Sequence, residues 1–147
     1  MINKITSRVL PDFIRILGNE DLCTEDINLE AHLYFVVQEN DSLVGGYGLE
    51  IYGTDALLRS VVLQENFRGK GHGRKMIEHA KETAFKNRIR NLYLLTTTAS
   101  DFFNHHGFNK INRNSVPEAI GNTVEFKTFC PDSAICMTFN LKNYARK

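Results

Sequence analysis

Apolar positions change their spacing several times along the chain, and each change marks an element. Near the start, Val9, Leu10, Phe13, Ile14 and Leu17 recur at helical steps, and Gly18 is placed to stop that helix. HLYFVVQE and SLVGGYGLEIYG then read as two strands joined at Asn40 and Asp41, a pair suited to a tight hairpin. Asp55 to Leu63 (DALLRSVVL) is a third strand, rich in Leu and β-branched residues. From Gly71 to about Arg88 the period lengthens again, with Met76, Ile77, Ala80, Ala84 and Phe85 forming one stripe of an amphipathic helix. Asn91 to Thr98 (NLYLLTTT) returns to strand character. The centre of the chain is therefore strand, glycine loop, helix, strand. Such a βαβ-like unit favours a parallel or mixed sheet covered by helices, an α/β (α+β) class of fold.

Shorter signals follow. Ala99 to His106 reads as a short helix, closed by Gly107 in a left-handed conformation, with Phe108 packing back. His105 and His106 suit the negative end of that helix. Ser115, Pro117 and Glu118 have the order of a cap, a first-turn proline and an acidic first turn. Ser133 to Leu141 (SAICMTFNL) is the last strand. No repeat or linker interrupts the chain, and 147 residues with 42% hydrophobic content suffice for a single domain, residues 1–147.

Charge narrows the partners. Eighteen Lys and Arg against seventeen Asp and Glu leave a formal net charge of +1, so no global field draws in nucleic acid or an anionic membrane. No apolar run approaches the ~20 residues that span a bilayer, and the first residues lack a signal-peptide core; a cytoplasmic protein is the expectation. Cys23, Cys130 and Cys136 give neither an even disulfide set nor a CxxC pair, and reduced thiols are expected. Cys130 and Cys136 are spaced to share a soft ion, but no third ligand stands nearby, so no metal is assigned.

Local chemistry concentrates in ENFRGKGHGRK, residues 65–75, where three glycines alternate with Arg68, Lys70, Arg74 and Lys75. A Walker loop would need Gly at Gln64 and Ser or Thr at Gly71. A dinucleotide loop would need Gly at Arg74 and an acid among Ile89 to Asn91. Both fail. What remains is a glycine loop opening a long helix, whose exposed backbone amides and dipole suit a pyrophosphate.

Arg68, Gly71 and Gly73 resemble, position by position, the coenzyme A loop of the GCN5-related N-acetyltransferase (GNAT) superfamily. Ala99, Phe102, Phe103, Gly107 and Phe108 are similar to its later helix, except that Phe103 stands where a tyrosine is usual. The resemblance implies a mixed central sheet with a splayed parallel strand pair and flanking helices. It implies acetyl-CoA as co-substrate, held by the backbone of Val61, Val62 and Leu63, by Arg68, Gly69, Lys70, Gly71, His72, Gly73 and Arg74, and near Phe103. ALLRSVV (Ala56 to Val62), LLTTTA (Leu94 to Ala99), PEAI (Pro117 to Ile120) and EFKTFCPDSAICM (Glu125 to Met137) resemble a narrower branch, small acetyltransferases associated with arsenic resistance. That branch implies a small, acidic amino-acid-like acceptor, such as an organoarsenical or a phosphinate relative of glutamate, whose amine attacks acetyl-CoA directly; a protein lysine or N-terminus is the alternative acceptor. Two-chain assemblies are common among such enzymes, so a homodimer is a further implication.

Amide formation from a thioester needs a neutral amine. Neutralising an amine of pKa about 10.4 at pH 7 costs roughly 4.6 kcal/mol, against about 1.1 for an α-amine near 7.8. Phe103 removes the usual phenol, leaving Tyr93 or water as substitute donor, or a coenzyme-binding sensor without catalysis. A thiol of pKa about 8.5 nevertheless departs with little help. Glu50, Asp55 and Glu125 are the candidate acids for substrate contact. Arg59, a charge inside an apolar strand, requires a partner, either an internal acid or the carboxylate or phosphinate of a substrate. Thr96, with Thr97 and Thr98, ends a strand where ligands collect in open sheets, although strand propensity explains threonines there equally well. Arg59, Glu50 and Thr96 are the catalytic candidates.

Overall fold

The computed structural model describes residues 1–129, 133–142 and 144. In chain order its principal elements are β1 (Ile2–Lys4), α1 (Leu10–Asn19), β2 (Leu33–Glu39), β3 (Ser42–Tyr52), β4 (Asp55–Leu63), α2 (His72–Lys86), β5 (Asn91–Thr96), α3 (Ser100–His105), β6 (Asn109–Lys110), α4 (Glu118–Gly121) and β7 (Ile135–Asn140). One sheet runs β1-β2-β3-β4-β5-β7-β6, antiparallel throughout except for the β4/β5 pair.

Both faces of this sheet are covered, which is why β4 reads as a nearly continuous apolar run. On one face α2 seats Ile77, Ala80 and Ala84 against Tyr47, Leu49, Ala56, Leu58, Leu92 and Leu94. On the other, Phe13, Ile16 and Leu17 of α1 meet Tyr34, Val36 and Val62. Below α4, Leu57, Ile120, Phe126 and Cys136 close the core on that same side.

The β2–β3 turn is the expected one, with Asn40 and Asp41 both at positive φ (50° and 67°). β5 stops two residues earlier than its apolar pattern suggests, because the Thr96 hydroxyl accepts the Ala99 amide (3.0 Å) and turns the chain into α3. Gly107 caps α3 at φ 95°, and Phe108 packs on Phe103 with ring centres 5.5 Å apart. Gly18 lies within α1 rather than ending it, and Ser115 belongs to a separate turn, so Pro117 is the residue that caps α4. β1 and β6 have too few residues to leave a period in the sequence, and they exist through backbone pairing with β2 and β7.

Two irregularities in the sheet prepare a site. β4 pairs with β5 only over Asp55–Leu57 against Asn91–Tyr93, so the two parallel strands part beyond Leu57. A bulge in β4 follows at once. Gly46 faces Val62 and Gly48 faces Arg59, leaving Tyr47 opposite both Ser60 and Val61. Ser60 absorbs the extra residue at φ 55°, a conformation uncommon outside glycine. The insertion reverses the alternation: Arg59 and Val62 lie on the α1 side, while Val61 and Leu63 turn to the α2 side.

Candidate active site

The glycine loop and the strand gap form one half of the site. After Leu63 a short turn, Glu65–Phe67, leads to Gly69 and Gly71, both at positive φ (79° and 85°) with open space where a Cβ would stand. Gly73 has a different duty: a Cβ there would come within 3.2 Å of the Phe102 ring, so its absence lets α2 start against α3. Gly71 caps α2 without any side-chain acceptor, and the first intrahelical bond in this turn is Lys75 N–H to the Gly71 carbonyl (3.2 Å). The amides of His72, Gly73 and Arg74 are thus left for an anion, at the positive end of a 15-residue helix.

The loop's side chains are partly engaged in holding it. Arg68 donates from Nε to the Leu63 carbonyl (3.0 Å) and from Nη2 to Glu20 (3.0 Å). Lys70 lies 5.8 Å from the Phe67 ring centre, and His72 Nε2 stands 3.0 Å from a Glu39 carboxylate oxygen. Arg74 and Lys75 line a shallow hollow of about 580 Å³ with Glu78, His79, Glu82 and His106. Beyond Leu57 the β5-facing edge of β4, including Val61, Val62 and Leu63, has no strand partner among the described residues, so its backbone groups are available to an extended ligand. The residues present fit coenzyme A: a backbone anion site beside a strand-like gap.

The other half is a buried cluster of side chains on the α1 face, immediately before the bulge. Arg59 is its centre and is 2% exposed. Nη1 donates to Asp26 (2.5 Å) and Glu50 (2.6 Å), Nη2 to Asp26 (2.7 Å) and to the Cys23 carbonyl (3.4 Å), and Nε to the Ser60 hydroxyl (3.0 Å). Every N–H of the guanidinium has an internal acceptor. Of the two partners open to Arg59, the structure supplies the internal acid, and twice over. Asp26 is held below the ordinary carboxylate range; burial works against the charge, but the hydrogen bonds from Arg59 and Cys23 outweigh it. Glu50 also accepts from the Tyr52 hydroxyl (2.6 Å).

Glu125 and Tyr34 complete the cluster. Glu125, 8% exposed, opens the π-helical turn Glu125–Phe129, and burial pushes its carboxyl up to about 7, with Arg59 opposing and Glu50 and Asp26 reinforcing the rise. Tyr34, Gly48 and Arg59 stand in one row across three neighbouring strands. A Cβ on Gly48 would collide with the Tyr34 ring, so this glycine lets the ring lie across the strand toward Arg59. The Tyr34 hydroxyl is buried and has no hydrogen-bond partner among the described residues.

Other candidates lie apart from this cluster. The Thr96 hydroxyl serves the turn into α3, and Asn104 Nδ2 donates to the Phe108 carbonyl (3.2 Å). Tyr93 pairs with Leu57 at the closed end of the β4/β5 gap, where the two strands part, and packs against the cluster of Leu57, Ile120, Phe126 and Cys136. Asp55 sits at that same end, 3.5 Å from Asn91 Nδ2. Phe103 is buried in the core against Phe102 and Phe108 and carries no donor. Cys23 and Cys136 are thiols raised to about 11 chiefly by burial, and Cys130 lies outside the described residues. Among the described residues no group of three metal-binding side chains forms, and no helix is long and apolar enough to cross a membrane. Asp26, Cys23 and Tyr34 are the members that sequence patterns did not single out. The glycines of β3 were the available signal for Tyr34.

Residues 30–110 match the acetyltransferase (GNAT) domain family, and the chain belongs to that family. The mixed sheet with its parting parallel pair is the fold of that family. Among curated relatives, an amino-acid acetyltransferase of Vibrio cholerae is 25% identical over 114 residues, 74% of this chain and 26% of the relative. An uncharacterized N-acetyltransferase of Chlorobaculum tepidum is 28% identical over 112 residues, 74% of this chain and 70% of its own. In structure, N-acetylglutamate synthase from Neisseria gonorrhoeae, complexed with coenzyme A and L-arginine, superposes with a TM-score of 0.81 at 16% identity, over 97% of this chain and 33% of the synthase. The chain thus spans about a quarter of the Vibrio protein and a third of the Neisseria one.

Proposed function

We propose that the protein is an acetyl-CoA-dependent N-acetyltransferase acting on the amine of a small amino-acid-like molecule. The observation that carries this reading is the junction at Leu57, where β4 leaves β5 and the buried Arg59 cluster abuts the start of the coenzyme-compatible edge. Family membership and the likeness to an amino-acid acetyltransferase support both the reaction and the class of acceptor. When bound, acetyl-CoA supplies an activated acyl carbon and a leaving thiolate. The α2 amides, with Gly69 and Gly71, hold its anionic part, and the free edge of Val61 to Leu63 receives an extended arm.

The similarity of Ala56 to Val62, Pro117 to Ile120 and Glu125 to Met137 to the arsenic-resistance branch puts organoarsenical amino acids and phosphinate relatives of glutamate on the list of acceptors. An acidic group on the acceptor gains no support from Arg59, whose donors are already used. The buried Phe103, without a hydroxyl, favours a second reading in which the coenzyme binds but turnover is weak. Calorimetric titration with acetyl-CoA, followed by free-thiol release in the presence of amino acids and these analogues, separates the readings. Saturable binding with turnover supports the enzyme; binding without turnover on any acceptor supports the sensor; no binding removes both.

A further inference from the structure

One buried cation lies outside the candidate site. Lys81, on α2, is 3% exposed, although lysine is almost never fully buried unless its ammonium is paired. Its Nζ donates to the His106 carbonyl (2.5 Å), stands 3.4 Å from a Glu78 carboxylate oxygen and lies 4.2 Å from the centre of the Phe139 ring. His106 is the residue that caps α3, and helix ends leave carbonyls without a partner inside the helix. The ammonium therefore sits at the negative end of α3 and on an aromatic face. A Cβ on Gly107 would come within 3.0 Å of that same Phe139 ring, so the glycine that turns the chain also keeps this seat open.

The other end of α3 meets the glycine loop. The Phe102 ring lies 3.2 Å from where a Gly73 Cβ would stand, and its centre is 4.6 Å from that of the His106 ring one turn later. Gly73 and Lys81 are eight residues apart, about 12 Å along α2, so α2 grips α3 at two points. Gly73 is the second residue of α2 and carries one of the amides left for an anion, in a first turn that has no side-chain cap to steady it. A shift of α3 would pass through the Phe102 ring into the turn that aims those amides.

We infer that Lys81 is a positioning residue for the coenzyme: by holding the end of α3 it keeps Phe102 against Gly73, and so fixes the first turn of α2. This rests on the coenzyme half of the proposed function and gives that half a support deep inside the helix. Lys81 acts through α3, since its ammonium is engaged by the His106 carbonyl and the Phe139 ring. Its removal is therefore felt as coenzyme affinity, not only as stability.

The test measures acetyl-CoA affinity by calorimetric titration, and melting temperature alongside it, in Lys81→Met, Lys81→Gln, Phe102→Ala and the double variant Lys81→Met with Phe102→Ala. Methionine keeps the apolar stem, and replacing a buried charge by an apolar side chain is often neutral for stability, so a folded protein is expected. Lys81→Met is expected to weaken acetyl-CoA about tenfold. Lys81→Gln keeps a donor for the His106 carbonyl and should recover affinity to within about threefold of wild type. Phe102→Ala should weaken binding by a similar factor to Lys81→Met, and the double variant by no more than about threefold beyond it, because both act through one contact. Affinity within about twofold of wild type in Lys81→Met, or losses that multiply in the double variant, overturns the inference. A purely structural lysine would move the melting temperature alone. Should Lys81→Met fold poorly by circular dichroism, Phe102→Ala carries the test, and unchanged affinity there overturns the inference as well. Failure of the functional reading shows itself separately, as a wild-type protein that binds no acetyl-CoA.

Discussion

The two halves of the site are built from different materials. The coenzyme half is backbone: amides at the start of α2, positive-φ glycines at 69 and 71, and the open edge of β4. The proposed acceptor half is side chains gathered from five separate stretches, the loop holding Cys23 and Asp26, then Tyr34, Glu50 with Tyr52, Arg59, and Glu125. A backbone site tolerates many side chains and suits a common group, which under the proposed function is a pyrophosphate. A side-chain cluster is costly to bury and specific, so it is where the acceptor would be chosen.

That contrast can be broken most forcefully at Arg59. Arg59→Ala leaves Asp26 and Glu50 buried without their cation, and a loss of about 3–5 kcal/mol in chemical denaturation is expected. Combining Arg59→Met with Asp26→Asn and Glu50→Gln should recover much of it, because the uncompensated charges go too. A stable Arg59→Ala protein would mean that the cluster does not govern folding.

Glu125 gives the next effect, with the opposite sign. Its carboxyl is raised from 4.5 to about 7 in the folded chain, so the native state binds more protons than the unfolded state between those values. Stability is full below about 4.5, falls as pH rises through about 7, and stays lower above. Glu125→Gln should therefore stabilise the protein at pH 8 by up to about 3 kcal/mol and much less at pH 4. Thermal melts at the two pH values check this; a pH-independent difference would contradict the burial of an ionisable group there.

On the coenzyme half, Gly71→Glu places bulk and negative charge at the α2 amides. Acetyl-CoA affinity should fall roughly ten- to a hundredfold, about 1.4–2.7 kcal/mol. Gly71→Ala carries the same positive-φ strain without the charge, and the difference between the two variants in calorimetric titration isolates the anion site. Equal affinities would remove it. The smallest effect is expected at Thr96→Val, which loses the bond to the Ala99 amide, about 1 kcal/mol of stability, while leaving kcat unchanged. A large fall in kcat would return Thr96 to the catalytic list.

The same division governed what could be read in the sequence. Strand β4 and the hairpin turn at Asn40 and Asp41 were legible because period and turn chemistry are local. So was the glycine loop, whose conformation depends on residues next to one another. Arg59 was legible only as a question. Its answer, Asp26, lies 33 residues away in a loop without a period, and no spacing rule connects them. The bulge at Ser60 was equally hidden: nothing in DALLRSVVL announces that the alternation reverses between Arg59 and Val61, yet that reversal separates the Arg59 cluster from the open edge of β4. Thr96 illustrates the converse, a residue well placed by topology whose hydroxyl serves a turn.

The central claim, that these halves meet to acetylate a small amine, is tested most directly by mixing the wild-type protein with acetyl-CoA and single amino acids and measuring thiol and N-acetyl product together. The account predicts that both form in equal amounts, saturably in amine. Thiol released without acetylated amine, or acetyl-CoA bound with no product from any acceptor, would contradict it.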